Sequence, residues 1–265
     1  MGRAILTGLL APNVTVADGI RVTNRSAERA TDFDGEPRVT SWVTSLDADA
    51  NRAAVRGARI VILAVKPAHI VELAADISSG LEPDSIVVSV AAGVTCASIE
   101  AALNRDIAVI RAMPNTPAAI GQGMTGLAAG RFAGATHLEA VSHVFATVGD
   151  VLVVTEERLD ALTTISGSGP AYVFYMIEQL EAAAIDLGFS PEEAALLVRS
   201  TFSGASNYAA HSEMSPRELR RAVTSPNGTT ERAIAAFDDA HFPQAFRDAT
   251  KAALARAREL AEGKS

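Results

Sequence analysis

Cysteine is almost absent. Cys96 is the only one among 265 residues, so no disulfide can close within the chain and a reducing, cytoplasmic setting is expected. Aromatic residues are scarce at 5 %, although 48 % of the chain is hydrophobic, so the core must be built from Ala, Val, Leu and Ile. That favours helical or α/β architecture. No run approaches the roughly 20 apolar residues of a membrane span. Positive charge is in deficit, 23 Lys and Arg against 31 Asp and Glu, for a net charge of −8. A nucleic-acid partner is not expected with that balance, and Arg217, Arg220 and Arg221 read as a solvated helix face. His69, His137, His143, His211 and His241 stand at no ligand spacing with Cys or carboxylates, so no metal site is expected. Met1-Gly2-Arg3 followed by Ala4 to Ala11 has the order of a short signal peptide, but it also reads as a helix, and Leu6 stands where myristoylation needs Ser or Thr.

What is present is an alternation of elements. Ile20 to Thr23 reads as a short strand ending in Asn24-Arg25-Ser26. Arg59 to Val65 and Ser85 to Val90 are apolar runs, closed by Lys66-Pro67 and by Ala91-Ala92-Gly93. Runs of this kind suit buried parallel strands. The helical stretches Ala68 to Ile77 and Ser98 to Leu103 separate these strands and a third, Ile107 to Arg111. The alternation predicts a doubly wound sheet. After the loop Ala112 to Pro117 comes a Gly-rich segment to Gly130, then a helix over Leu138 to Val148 and a last strand over Val151 to Val154. From Glu156 the pattern is wholly helical, which places a domain boundary near Thr155. Ser166-Gly167-Ser168-Gly169-Pro170 interrupts the first of these helices and opens a long one, Ala171 to Leu187. Its apolar residues fall on more than one face, so it is expected inside a bundle or dimer. Ser190-Pro191 and Ser215-Pro216, each followed by Glu at the third helical position, are strong helix starts. The last helix is expected over Pro243 to Ala261.

Two stretches suggest chemistry. Ser225-Pro226-Asn227-Gly228-Thr229-Thr230 sets turn formers and hydroxyls at the start of a helical pattern, Glu231 to Phe237. Free N–H groups and the helix dipole there attract a carboxylate or phosphate. A plain turn followed by a Thr N-cap fits the same residues. The other stretch is Asn24-Arg25-Ser26. In a doubly wound sheet, ligands bind beyond the carboxyl ends of the strands. A positive charge with flanking donors after the second strand suits the extra phosphate of NADP, where NAD usually meets Asp or Glu. A solvated loop arginine is the alternative.

Together, Ile62 to Pro67, Ser89 to Val94, Arg111 to Pro117, Ser166 to Tyr172 and Val223 to Thr230 resemble pyrroline-5-carboxylate reductases, the enzymes that make proline, in that family's order and spacing. The resemblance runs from residue 1 to about residue 260. It implies an N-terminal Rossmann-like α/β domain over 1–155 that binds NADPH, with NADH a weaker possibility, and an all-helical domain over 156–265 that binds substrate and forms a homodimer or a multiple of dimers. Asn24, Arg25 and Ser26 would then lie near the 2′-phosphate. Gly2, Asn51, Ala64, Val65, Lys66, Ala92 and Asn115 would belong to the rest of the cofactor site. Ser225, Gly228, Thr229 and Thr230 would hold the substrate, pyrroline-5-carboxylate, with the Thr230 hydroxyl near the ring nitrogen as the catalytic group. The chain departs from the family twice. Asn227 stands where many members have a second Gly, and Asn tolerates the left-handed backbone such a turn needs. The family's opening strand and most of its Gly-rich turn precede the position that Met1-Gly2 matches, so unpaired strand edges and a start placed too far downstream are expected. A homologue that binds without turnover, or a reductase of another cyclic imine, remains the alternative.

Overall fold

The computed structural model describes residues 1–30 and 35–261. The chain forms two compact units, residues 1–168 joined by the end of the last helix from Leu254, and residues 169–253.

The first unit opens with helix α1 (Gly2–Leu9), then strand β1 (Ile20–Asn24), α2 (Ala27–Ala30), β2 (Val39–Val43) and α3 (Ala50–Val55). There follow β3 (Ile60–Leu63), α4 (Ile70–Ile77), β4 (Ile86–Ser89), α5 (Cys96–Leu103) and β5 (Ala108–Met113). β6 (Gly123–Ala129), α6 (Ala135–Ala146), β7 (Gly149–Val153) and α7 (Glu156–Leu162) complete it. The main sheet has the order β3-β4-β5-β6-β7. β3, β4 and β5 are mutually parallel, β5 and β6 antiparallel, β6 and β7 parallel.

Alternate residues of the central strands feed two cores, which is why these apolar runs are unbroken. Val87 and Val109 face Ile70, Ala74 and Ile77 of α4 and Ile99 and Leu103 of α5. Ile86, Val88, Ala108 and Ile110 face Ile5 of α1 and Val141 and Phe145 of α6. Helices therefore cover both faces, as the alternation predicts.

The sheet is nevertheless in two pieces. β1 and β2 pair in parallel as a sheet of their own, so β1 and β3 are each edges. β2 was not foreseen, because Val39-Thr40-Ser41-Trp42-Val43 is half polar and none of it is buried. β6 lies in the Gly-rich segment, for which the sequence offers no element. Gly126 packs so tightly that a Cβ there would lie 2.8 Å from the methyls of Leu159 and Leu162, so glycine serves close approach here. α3 was also missed. It is six residues long, too short to show a helical period.

α7 runs into a π-helical turn, Thr163–Gly167, before α8 (Gly169–Asp186) begins. The second unit contains α8, α9 (Pro191–His211), α10 (Pro216–Ala222), α11 (Thr229–Asp239) and the first part of α12 (Phe242–Ala261). Both foreseen capping boxes form, Ser190 with Glu193 and Ser215 with Glu218. α8 packs against α9, yet none of its residues is buried, and Phe174 and Tyr175 are 62 % and 63 % exposed. No helix among the described residues is long and apolar enough to cross a membrane.

Candidate active site

The parallel register aligns Leu63 with Ser89 and Ser89 with Arg111, so the segments that follow β3, β4 and β5 leave the sheet at one rim. Ala64, Val65, Lys66 and Ala92 are exposed on that rim, and Asn115 is half-buried behind it. Gly2, the first residue of α1, belongs there too. A Cβ on Gly2 would stand 3.0 Å from the Cβ of Ala64, so any side chain would press on the end of β3. The opening turn of α1, with no side chain capping it, therefore presents its N–H groups beside Ala64.

Asn24 ends β1, in the other sheet. Its carbonyl accepts from Thr44 N–H at 2.8 Å, while its Nδ2 is buried without a partner among the described residues. A buried donor left unpaired costs about 1–3 kcal/mol. Arg25 and Ser26 beside it are exposed, and Arg25 has no ion pair among the described residues. Asn51 is on α3, its Nδ2 3.4 Å from Asp76 Oδ2 of α4.

Ser225, Gly228, Thr229 and Thr230 lie in the second unit. Gly228 N–H donates to the Ser225 carbonyl at 3.0 Å, closing a tight turn in which Asn227 takes a left-handed φ of 60°. Asparagine therefore keeps the turn that a second glycine would make. The N-cap of α11 is Gly228 rather than Thr230, which corrects the start of this helix by two residues. The helix begins earlier because Asn227 N–H finds the Glu231 carboxylate at 2.7 Å, bracing the turn from the first helical turn itself. With the Gly228 N–H consumed, Thr229 and Thr230 supply the outward amides. A Cβ on Gly228 would push Ser225 Oγ out of its place and press on the Ser225 carbonyl at 3.0 Å, so the glycine serves space and not φ, which is −81°.

Contacts with no signal in the sequence organise the first unit. Arg111 is 5 % exposed, and its Nη1 donates to Glu156 Oε1 at 2.9 Å while Nη2 lies 3.6 Å from Asp160 Oδ1. The same Glu156 oxygen accepts the Cys96 N–H at 2.8 Å, joining β5, α5 and α7. Burial, with Glu156 adding to it, pushes the Cys96 thiol up to about 12, so it is a neutral packing residue. Asn115 uses both ends of its amide: Oδ1 accepts from Met124 N–H at 2.8 Å and Nδ2 donates to the Ser166 carbonyl at 3.0 Å. Sequence carries no signal for these pairs, since the partners are 45 to 60 residues apart or bonded through backbone.

A cleft of about 1050 Å³ opens elsewhere in this unit, lined by Cys96, Glu100, Asn104, Arg131, Phe132 and Glu156 among others. No residue foreseen as functional lines it.

A family model for pyrroline-5-carboxylate reductase dimerisation matches residues 156–260, and one for NADP oxidoreductase, coenzyme F420-dependent, matches residues 1–93. The pyrroline-5-carboxylate reductase of Pseudomonas aeruginosa is 39 % identical over 263 residues, covering 99 % of this chain and 94 % of the relative. That of Corynebacterium melassecola is 38 % identical, with 98 % and 95 % covered. A solved pyrroline-5-carboxylate reductase from Coxiella burnetii superposes with a TM-score of 0.90 at 37 % identity, covering 98 % of this chain and 94 % of that one.

Proposed function

The chain belongs to the pyrroline-5-carboxylate reductase family, and from that premise we propose that it reduces 1-pyrroline-5-carboxylate to L-proline with NADPH as the electron donor. The cofactor supplies hydride when bound. What remains for the protein is to hold two planar rings face to face and to anchor one carboxylate.

The rim fits a dinucleotide on two observations. Asn24 Nδ2 is an orphaned donor at the end of β1, and Gly2 leaves space against Ala64 where a side chain would intrude. Asn24, Arg25 and Ser26 would hold the 2′-phosphate, the opening amides of α1 at Gly2 the diphosphate, and Asn51, Ala64, Val65, Lys66 and Ala92 the ribose and nicotinamide ends. Residues 1–155 act as the NADP-binding domain in this reading and 156–265 as the substrate-binding and dimerisation domain. A homodimer in the cytoplasm is its setting.

The single observation that carries the substrate assignment is the turn at Ser225 to Gly228, which aims the Thr229 and Thr230 amides out of α11. Those amides and the Ser225 hydroxyl anchor the carboxylate. The Thr230 hydroxyl bonds the ring nitrogen, steadying the imine and then the amine. It is too weak an acid to be the proton source, so its part is polarisation and positioning.

Thr230→Ala should lower kcat/KM for pyrroline-5-carboxylate about ten- to hundredfold, the cost of one transition-state hydrogen bond of roughly 1–3 kcal/mol. The measurement is NADPH oxidation followed by absorbance with the racemic imine. An unchanged kcat/KM sinks the role given to Thr230, and no turnover by the parent chain sinks the function.

A further inference from the structure

Pro170 creates a defect that Asn115 repairs. In a continuous helix the Ser166 carbonyl would accept from the amide four residues on, but that residue is Pro170, which has no N–H. The chain has meanwhile widened into the π-helical turn Thr163–Gly167, in which Ser168 N–H reaches back five residues to the Thr163 carbonyl at 2.9 Å. π turns sit in helices at a cost and cluster at functional sites. The Asn115 carboxamide donates to that stranded carbonyl at 3.0 Å, and its other end takes Met124 N–H at 2.8 Å. Two residues earlier, at the end of β5, Met113 lies beside the turn, so that a Cβ added at Gly167 would stand 3.4 Å from its Cε.

We propose that Asn115 is a positioning residue: its side chain stands in for the N–H that Pro170 lacks, locking the loop after β5, the start of β6 and the π turn into one piece. The inference rests on the reading that this rim carries the nicotinamide end of the cofactor. Asn115 then acts on catalysis through the shape of the rim and not by touching the cofactor. The bulk of cofactor affinity resides at the phosphate and diphosphate contacts, which Asn115 does not reach.

The test uses the full chain with Asn115→Ala and Asn115→Asp. The Asp variant keeps an acceptor for Met124 N–H, and in place of the donor it sets a carboxylate oxygen against the Ser166 carbonyl. In both variants kcat should fall at least tenfold, while the Kd for NADPH, read from its fluorescence, stays within twofold. Hydrogen exchange in a peptide covering 163–168 should accelerate at least tenfold in both. A loss of NADPH affinity matching the loss in kcat/KM would overturn the proposal in favour of direct cofactor contact. Unchanged exchange at 163–168 would overturn it too. If the parent chain turns over no pyrroline-5-carboxylate, the proposed function fails, and the exchange and NADPH measurements still decide the clamp.

Discussion

Arg25 and Asn24 are adjacent and differ in what the fold does for them. Asn24 is held at the end of a strand with its amide nitrogen buried and unpaired, so its geometry is fixed before any ligand arrives. Arg25 is exposed and carries a charge that is always present. In the proposed site the pair would divide the labour of recognising a phosphorylated ribose, one residue giving place and the other charge. Arg25→Ala should raise the Kd for NADPH about tenfold or more while leaving NADH nearly unchanged, which parallel fluorescence titrations would measure; equal effects on both would remove Arg25 from the phosphate site. Ser225 and Gly228 show the reverse economy. The space beside Ser225 Oγ is filled by the absence of a side chain, which a sequence reader can suspect from a Gly before two Thr but cannot distinguish from a turn glycine with positive φ.

At the scale of elements, α7 is fastened to β5 by Arg111 with Glu156 and Asp160, and the π turn that follows α7 is fastened to the loop after β5 by Asn115 with Ser166. The first of these matters to stability. Arg111 is buried, and Glu156→Gln would leave it with Asp160 alone at 3.6 Å while its Nε already has no acceptor. Breaking a buried ion pair from one side costs about 3 kcal/mol or more, and Glu156 is partly exposed, so a loss of about 2–3 kcal/mol is expected. A urea midpoint lowered with unchanged slope would record it, and an unchanged midpoint would show the pair contributes nothing. Elements of this kind divide by how locally they are encoded. Val87 and Val109 announce buried strands, and Ser190-Pro191 and Ser215-Pro216 announce helix starts, because the physics acts within a few residues. β6 is different. Gly123 and Gly126 are strand residues because Ala118, Leu159 and Leu162 crowd them, and those neighbours are distant in the chain or beyond a turn.

The whole molecule leaves much apolar surface uncovered when taken as one chain. Phe174, Tyr175, Leu180, Ile185 and Leu187 of α8 and its following turn, and Leu196, Leu197 and Tyr208 of α9, are all exposed. Lone apolar side chains at a surface are ordinary, but two adjacent helices with this many signal an interface. Both helices lie within the residues, 156–260, that match a family model for dimerisation, so a second copy of the chain is the expected occupant. Phe174→Asp with Tyr175→Asp should halve the particle mass in sedimentation and abolish turnover, and an unaltered dimer would move the interface elsewhere. The pattern of α8 called for burial inside a bundle or dimer, yet none of its residues is buried within the single chain, since a helix apolar on several faces looks the same in a bundle and between subunits. The divided sheet has a consequence of another kind. The ribbon of β1 and β2 contains no buried residue, and α3 ties it to the rest through Asn51 and Arg52 against Asp76. Short isolated sheets open easily. Amides of 20–24 and 39–43 should exchange orders of magnitude faster than those of β4 and β5, and NADPH should slow them selectively. If Asn24, Arg25 and Ser26 hold the 2′-phosphate as proposed, tightness for NADPH and local order of the ribbon are a single equilibrium, and mild denaturant should weaken binding well before the helices melt.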